Sequence, residues 1–271
     1  MFSTLRVTSK CNLKCLHCYS MSNPQKKTKD ISTGRIKSII DILTKNNINR
    51  ITISGGEPFT RRDITEILSY SSKKAETGAV SNGTLIDMHT AEKLSGINLT
   101  CIMISLDGNE SAHDALRGKG AHKKAKEGIS NCRKCGVPVG ISTTLNSLNH
   151  ESIMEVYDYL KRNNINRWII ETLKPQGRAK EKNLSLEKKQ QDSAIIALNK
   201  LIAKEESIKI SIYNCEKNCT AGKAAISVGP NGDVTPCAFI PHAVCGNILK
   251  DSWDTIKANI EKYRGTTCFQ S

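Results

Sequence analysis

Three cysteines lie within eight consecutive positions near the start of the chain, at Cys11, Cys15 and Cys18. Thiolates at this C-x3-C-x2-C spacing can bind three irons of a cubic [4Fe–4S] cluster and leave the fourth iron open. A zinc site would need a fourth cysteine or histidine nearby. His17 is a candidate, but it lies between two of the cysteines, where the loop would point it away. The spacing therefore indicates an iron–sulfur site with one position left for another molecule.

Polar and glycine-rich segments follow the next three strand-like stretches. They are SGGEPF after the second stretch, SNGT after the third and SLDG after the fourth. In parallel α/β folds, the loops at the carboxyl ends of the strands meet at one edge of the sheet. We therefore expect thiolates, glycines and a carboxylate to gather at that edge.

Strand-like and helix-like stretches alternate along most of the chain, and these elements would position the polar groups. Helical patterns cover residues 33–47, 62–76, 87–95, 121–134 and 151–163. The strand candidates are STLRVT, RITIS, GAVSN, TCIMISLD, VPVGISTTL and RWIIETL. This order predicts parallel strands joined by crossover helices, in an open doubly wound sheet or an incomplete barrel.

The pattern changes after Leu173. A polar loop, KPQGRAKEKN, is followed by a long amphipathic helix and then by short strands and turns. PNGD between two strand-like runs predicts a β-hairpin. We place a domain boundary near residue 206, which divides the chain into residues 1–206 and 207–271.

Composition and charge limit the compartment and the partners. The formal net charge is +14, but the lysines are spread over most predicted helices, which indicates a solvated surface. There is no RNA-binding motif, so a nucleic-acid partner is not expected. The apolar runs are too short to span a bilayer and no signal-peptide pattern is present, so we expect a cytoplasmic protein without a membrane partner. In such a chain, eleven cysteines indicate metal or iron–sulfur sites rather than disulfides.

Taken together, the motifs resemble those of the radical S-adenosylmethionine (radical SAM) enzymes. CNLKCLHCY resembles the cluster loop of that family, SGGEP its strand-two motif, and SNGT and SLDG its third and fourth strand ends. HDALRGKGAHKKAKEGI is similar to the following segment of the peptide-modifying branch. The resemblance covers essentially the whole chain. It implies an α/β fold, a partial (β/α)6 TIM-type barrel with a small C-terminal hairpin and helix domain.

The resemblance also implies a reaction. In that family, S-adenosylmethionine binds the open iron through its amino and carboxylate groups, and an electron from the cluster cleaves a carbon–sulfur bond. The resulting 5′-deoxyadenosyl radical removes a hydrogen atom from the substrate, while the protein orients the reactants and excludes water. Cys11, Cys15 and Cys18 would be the cluster ligands and hence the catalytic residues. An electron donor such as flavodoxin or ferredoxin would be a partner.

Eight residues would contact S-adenosylmethionine by the same resemblance. Glu57 would accept a hydrogen bond from its ammonium group. Arg117 would bind its carboxylate, or would form a surface ion pair instead. Tyr19 would flank the adenine or simply pack, and Asp107 would cap a turn or contact the ligand. The full set is Tyr19, Gly55, Gly56, Glu57, Asn82, Ser105, Arg117 and Thr144.

Residues 219–248 resemble the SPASM or twitch extension of radical SAM enzymes, which holds an auxiliary iron–sulfur cluster. The pattern of a cysteine, a hairpin glycine and a second cysteine five positions later is met by Cys219, Gly232 and Cys237. A full SPASM domain continues with a further cysteine-rich segment, which is not matched here. We therefore expect one auxiliary [4Fe–4S] cluster. Its candidate ligands are Cys215, Cys219, Cys237, Cys245 and Cys268.

Several cysteine roles stay open at this point. The fourth auxiliary ligand could be Cys245, Cys268 or the substrate, and either cysteine could instead be a buried thiol or a hydrogen-atom donor. Cys132 and Cys135 are expected at a helix end, and Cys101 in the core.

Three functions from different classes fit these features. The first is modification of a peptide or protein through thioether formation, epimerisation or oxidation, which the SPASM-like tail and HDALRG favour. The second is a tetrapyrrole-modifying enzyme of the haem-biosynthesis type, because GPNGDVTPCAFIPHAVCGNI is similar to the tail of that branch. The third is an iron–sulfur redox or scaffold protein, which would have no need of SGGEP and Arg117.

Overall fold

The computed structural model describes residues 1–25, 30–214 and 219–263. The candidate ligands Cys215 and Cys268 lie outside the described residues. Within them, strands β1 to β7 are Phe2–Arg6, Arg50–Ser54, Glu76–Ser81, Cys101–Ser105, Val139–Leu145, Arg167–Thr172 and Lys209–Tyr213. The shorter strands β8 to β10 are Ala225–Val228, Asp233–Thr235 and Gly246–Asn247.

Helices connect the strands in sequence order. Helices α1 to α9 are Thr33–Lys45, Ile64–Ser72, Met88–Ser95, Glu110–Arg117, Ala121–Lys134, Ile153–Arg162, Arg178–Glu181, Lys188–Ile202 and Trp253–Glu261. A short 3-10 helix, Pro58–Thr60, follows β2. Among the described residues, none of these helices has both the length and the apolar character needed to cross a bilayer.

The strands form one sheet in the order β10–β9–β8–β1–β2–β3–β4–β5–β6–β7. Strands β1 to β7 are parallel to their neighbours, and β8 pairs parallel with β1. Strands β9 and β10 are antiparallel and complete the predicted hairpin. Because β7 and β10 are the two ends of this order, the described sheet stays open. The predicted partial (β/α)6 TIM-type barrel with a small C-terminal hairpin and helix is confirmed.

The sheet continues across the predicted domain boundary. Strand β7 follows residue 206, yet it pairs parallel with β6 from Arg167↔Lys209 to Glu171↔Tyr213. The division into residues 1–206 and 207–271 therefore stays a prediction, and strands on both sides of it share one sheet.

Helix α1 shows how the sequence directs apolar surface toward the sheet. The Ser32 hydroxyl accepts a hydrogen bond from the backbone N–H of Arg35 and caps the first turn. Apolar residues at spacings of three and four then form one stripe, which is buried in the main core. They are Ile36, Ile39, Ile40 and Leu43.

The two faces of β1 meet different surroundings, because successive side chains of a strand point to opposite sides. Ser3 and Leu5 are fully buried, and Leu5 belongs to the main hydrophobic core. Thr4 and Arg6 alternate with them and line cavities on the other side. One face of the sheet thus supports the helices, and the other presents polar groups.

Candidate active site

A cavity of ≈ 280 Å³ lies at the carboxyl ends of the parallel strands. It is bounded by the loop after β1, the turn after β2 and the ends of β3 to β6. One further wall comes from Ala238 and Phe239, in the C-terminal segment that follows β9. The motifs following separate strands therefore do meet at one edge of the sheet. The cavity is lined by all the predicted barrel-site residues: Cys11, Cys15, Cys18, Tyr19, Gly55, Gly56, Glu57, Asn82, Ser105, Arg117 and Thr144.

The three cysteines of the loop after β1 present thiols to this cavity. Cys11 and Cys15 are buried and Cys18 is half-buried. Burial raises the pKa of Cys11 to about 12, so this thiol keeps its proton until a metal displaces it. His17 lines the same cavity, so the loop does not turn it away from the site. Burial and the nearby Arg117 cation lower the pKa of His17 to about 4, which leaves its ring neutral.

Arg178 contacts the cysteine loop at three backbone carbonyls. Its buried guanidinium donates from Nε to the carbonyl of Cys15 (2.7 Å) and from Nη2 to the carbonyl of Ser22 (2.8 Å). Its backbone N–H donates to the carbonyl of Cys18. Gly177 precedes it with φ +54°, and a Cβ there would lie 2.6 Å from the Cys18 oxygen. This contact was not predicted from the sequence, because KPQGRAKEKN has the composition of a solvated loop; its glycine-arginine pair was the available signal.

Gly55 and Gly56 allow the turn after β2 to contact the cysteine loop directly. The N–H of Gly56 donates to the carbonyl of Thr8 (2.9 Å), and a Cβ on Gly56 would lie 2.2 Å from the carbonyl oxygen of Lys10. A Cβ on Gly55 would lie 2.7 Å from the Thr8 oxygen. The contact of Gly55 and Gly56 with S-adenosylmethionine stays a prediction. The close approach of the two loops already requires glycine at these positions.

Replacing Gly56 with alanine is expected to displace the cysteine loop, because backbone atoms at this distance cannot yield as a flexible side chain can. We expect the free energy of unfolding to fall by about 1–3 kcal/mol, with a lower iron content after reconstitution. Gly34→Ala is the matched control, because Gly34 lies in α1 and a Cβ added there would meet nothing within 4 Å. Equal iron content and stability in the two variants would contradict this role.

Glu57 joins the turn after β2 to the end of β3. Its Oε1 accepts hydrogen bonds from the N–H of Phe59 (3.1 Å) and the hydroxyl of Ser81 (2.8 Å), and its Oε2 accepts from the N–H of Asn82 (2.7 Å). Burial raises the pKa of Glu57 to about 7, and the three hydrogen bonds act in the opposite direction. A bound ammonium group would favour the ionised form.

Arg117 forms a buried ion pair, not the surface pair considered from the sequence. Helix α4 ends with this residue, and its Nε donates to Oδ2 of Asp107 (2.5 Å). Asp107 is fully buried, and its Oδ1 accepts from the backbone N–H of Thr144 (2.9 Å). Burial opposes ionisation of Asp107, but the Arg117 guanidinium outweighs it and holds the pKa of Asp107 well below its usual range. Asp107 thus orients Arg117 and neither caps a turn nor lines the cavity.

The C-terminal segment closes one side of the cavity with an aromatic contact. The Tyr19 ring lies 4.5 Å from the Phe239 ring between centroids. Lys174 places its Nζ 5.0 Å from the Phe239 centroid and donates to the carbonyl of Thr172. Lys174 and Phe239 were not identified from the sequence, where the contacts of Phe239 with Tyr19 and Lys174 leave no local pattern.

The remaining cysteines have separate environments. Cys219 and Cys237 are half-buried and pack against one small apolar cluster formed by Ala221, Ile240 and Ala243. Cys245 is buried in the main core, and its Sγ donates to the carbonyl of Ala243. As predicted, Cys101 is buried, and Cys135 lies at the C-terminal end of α5. The auxiliary ligand set stays a prediction.

The described donor set fits a cluster and an amino acid. Three thiols on one loop match the three protein ligands of a cluster with an open iron. A buried carboxylate at Glu57 and a guanidinium at Arg117 border the same space. Among the described residues, the side-chain hydrogen bonds of Arg117 run to Asp107 alone, through Nε. The Nη groups are therefore available to a carboxylate.

Comparisons with known proteins identify the family. The radical SAM superfamily matches residues 5–160, and an iron–sulfur cluster-binding domain, SPASM, matches residues 219–270. The Fe-coproporphyrin III synthase of Methanosarcina barkeri is 34% identical over 218 residues, 79% of this chain and 55% of that protein. The antilisterial bacteriocin subtilosin biosynthesis protein AlbA of Bacillus subtilis is 30% identical over 269 residues, 94% of this chain and 59% of that protein. The chain thus spans little more than half the length of these two relatives.

The fold is also that of a solved structure. The crystal structure of Streptococcus suis SuiB bound to S-adenosylmethionine superposes with a TM-score of 0.82 at 17% identity, over 96% of this chain and 67% of that one. The radical SAM domain implies a [4Fe–4S] cluster with S-adenosylmethionine, and the SPASM domain implies an auxiliary iron–sulfur cluster. From the three-thiol cavity, the partial barrel and these matches, we conclude that the chain belongs to the radical SAM superfamily and is an enzyme.

Proposed function

We propose that this enzyme modifies a peptide or protein, with Cys11, Cys15 and Cys18 as the ligands of its catalytic cluster. The observation that carries the proposal is the single cavity that brings these thiols together with Glu57 and Arg117. When bound, the cluster and S-adenosylmethionine supply a radical that removes a hydrogen atom from the substrate.

The chain's own residues would bind and orient the amino acid end of S-adenosylmethionine. Glu57 would accept from the ammonium group, and the Nη groups of Arg117 would donate to the carboxylate. Asn82, Ser105 and Thr144 provide further polar groups at the ends of β3, β4 and β5. Tyr19 would flank the adenine. The buried Asp107 would keep Arg117 extended toward the ligand.

A peptide substrate is supported by relatives that match a large part of this chain. AlbA, a bacteriocin biosynthesis protein, matches 94% of this chain, and the mycofactocin maturase MftC of Mycolicibacterium smegmatis matches 92%. Thioether formation, epimerisation and oxidation are the candidate outcomes. Cys219 and Cys237 would bind the auxiliary cluster, and a flavodoxin or ferredoxin would donate electrons. We place the reaction in the cytoplasm, where thiols stay reduced.

Tetrapyrrole modification is the second candidate, favoured by different relatives. The Fe-coproporphyrin III synthase is 34% identical to this chain. The AdoMet-dependent heme synthase of Methanosarcina barkeri is 29% identical over 95% of it.

Reductive cleavage of S-adenosylmethionine tests the proposal. Anaerobically reconstituted protein with dithionite should yield 5′-deoxyadenosine, and omission of dithionite is the control. Absence of this product in the complete mixture would contradict the function. Iron analysis should give about eight irons per chain, and Cys219→Ala about four. Adding Fe-coproporphyrin III tests a tetrapyrrole reaction of the heme-synthase kind, because its conversion to a product of lower mass would favour that reaction over the peptide reaction.

A further inference from the structure

A second cavity, of ≈ 650 Å³, lies beside the first. It is bounded by the end of β1, by Met21 in the cysteine loop, and by Pro230 and Pro241 in the C-terminal segment. Tyr19 and Ala238 line both cavities. A molecule seated in the second cavity would therefore extend past Tyr19 to the first.

Arg6 provides a cation in this second cavity. It is half-buried on the same face of β1 as Thr4, which lines the first cavity. Its Nε is buried and has no hydrogen-bond partner in the described part of the chain. Leaving a buried donor of a charged group unpaired is costly, so a ligand that supplies an acceptor gains affinity.

Asp30, the carboxylate among the residues that line this cavity, does not pair with the Arg6 guanidinium. Asp30 lines the same cavity, but its Oδ1 accepts from the hydroxyl of Thr8 (2.7 Å) and its Oδ2 lies 3.6 Å from Nζ of Lys10. None of the ion pairs between described residues includes Arg6. The guanidinium is thus left for an external anion.

The other residues that line the cavity indicate the chemical character of the molecule that carries this anion. Tyr19, Met21, Ala238 and two prolines give the cavity apolar and aromatic surface around Arg6, and the polar residues Ser9, Ser20, Asp30 and Asn231 complete its lining. A site of this kind binds an amphiphilic molecule, with the polar group fixing its orientation. A guanidinium matches a carboxylate in a two-bond geometry.

We propose that Arg6 binds a carboxylate of the substrate, so that the rest of the substrate runs past Tyr19 into the first cavity. The inference rests on the proposed function for the reacting end of the substrate. The carboxylate belongs to an acidic residue or chain end of a peptide, or to a propionate of a tetrapyrrole. Arg6 acts as a substrate-binding residue remote from the reacting atoms.

Binding of two matched probe pairs to the reconstituted full chain tests this site. One pair is coproporphyrin III and its tetramethyl ester; the other is acetyl-Tyr-Glu-Phe-amide and acetyl-Tyr-Gln-Phe-amide. We expect the acid of one pair to bind more tightly than its neutral partner, and Arg6→Gln to weaken that acid about 10- to 100-fold. Arg6→Lys should recover part of the loss. The source of the carboxylate is identified by the pair whose acid binds wild type more tightly than its neutral partner and loses that affinity in Arg6→Gln.

A control variant separates the local contact from overall charge. Arg50 is exposed and pairs with Glu76 on the neighbouring strands β2 and β3, so Arg50→Gln removes the same charge and should leave binding unchanged. The site is wrong if Arg6→Gln binds the acids as tightly as wild type, or if wild type binds acid and neutral probes equally. Wild-type protein that distinguishes acid from neutral probe but forms no 5′-deoxyadenosine contradicts the proposed function alone. Wild-type protein that forms 5′-deoxyadenosine but binds the acid and neutral probes equally contradicts the Arg6 site alone.

Discussion

Replacement of Cys15 by alanine is expected to abolish formation of 5′-deoxyadenosine, down to the level of iron-free protein. Cys15 is buried, and its carbonyl is held by Arg178, so the backbone of the loop should persist while one thiol is lost. A cluster with two remaining protein ligands would not be retained with an open iron in position. The measurement is 5′-deoxyadenosine by mass spectrometry after anaerobic reconstitution.

Cys135→Ser is the matched control for this loss. Cys135 is half-buried at the end of α5, and its Sγ lies 3.6 Å from the Met88 sulfur, away from the cavity lining. This variant should keep wild-type product formation and iron content. Iron content in Cys15→Ala should fall to about four per chain, because the auxiliary site is untouched. Product formation by Cys15→Ala at the wild-type rate would refute the assignment of the catalytic cluster.

Asp107→Asn is expected to give the largest loss of stability among the site variants. The substitution keeps the shape of the side chain but leaves the Arg117 guanidinium buried without its counter-charge. Removing one partner of a buried pair typically lowers the free energy of unfolding by about 3–5 kcal/mol. S-adenosylmethionine affinity should also fall, because Arg117 loses the group that orients it. Denaturant titration and equilibrium binding measure the two effects.

An exposed ion pair provides the comparison for Asp107. Glu76 pairs with Arg50 at 3.1 Å, with both side chains more than half exposed, so Glu76→Gln should leave stability almost unchanged. The pKa of Asp107 is lowered in the folded protein, so its contribution is present above its usual titration range and is lost as the pH falls below about 4. The difference between wild type and Asp107→Asn should narrow over that range. A difference independent of pH would contradict the ion-pair explanation.

The site was largely predictable because its residues follow strands. Cys11, Gly56, Asn82 and Ser105 each come after or at the end of a different strand, and parallel strands bring those ends together. Spacing along the chain therefore indicated proximity in space. The resemblance to the radical SAM family, rather than strand order, predicted a role for Arg117, and neither predicted its ion pair with Asp107, because a buried ion pair depends on the direction of α4.

Other parts of the site have no local signature in the sequence. Arg178 contacts Cys15 across 163 positions, from a segment whose composition is that of a solvated loop. Phe239 packs on Tyr19 only because β8 returns to the edge of β1. The predicted boundary near residue 206 put strand β7 in the C-terminal domain, because nothing in KISIY distinguishes a seventh parallel strand from a hairpin strand. These features depend on tertiary pairing, which periodicity and turn residues do not determine.

The position of β1 between β2 and β8 has a consequence for synthesis of the protein. One edge of this first strand stays unpaired until Ala225–Val228 have emerged from the ribosome, and the loop that follows it lacks Arg178 until residue 178 has emerged. An unpaired strand edge beside three thiols is exposed to aggregation and oxidation until those later segments have been synthesised. Iron loading of Cys11, Cys15 and Cys18 should therefore follow the synthesis of residues 178 and 225–228. Long-range pairing of this kind also folds slowly, so the nascent chain would depend on chaperones to reach it.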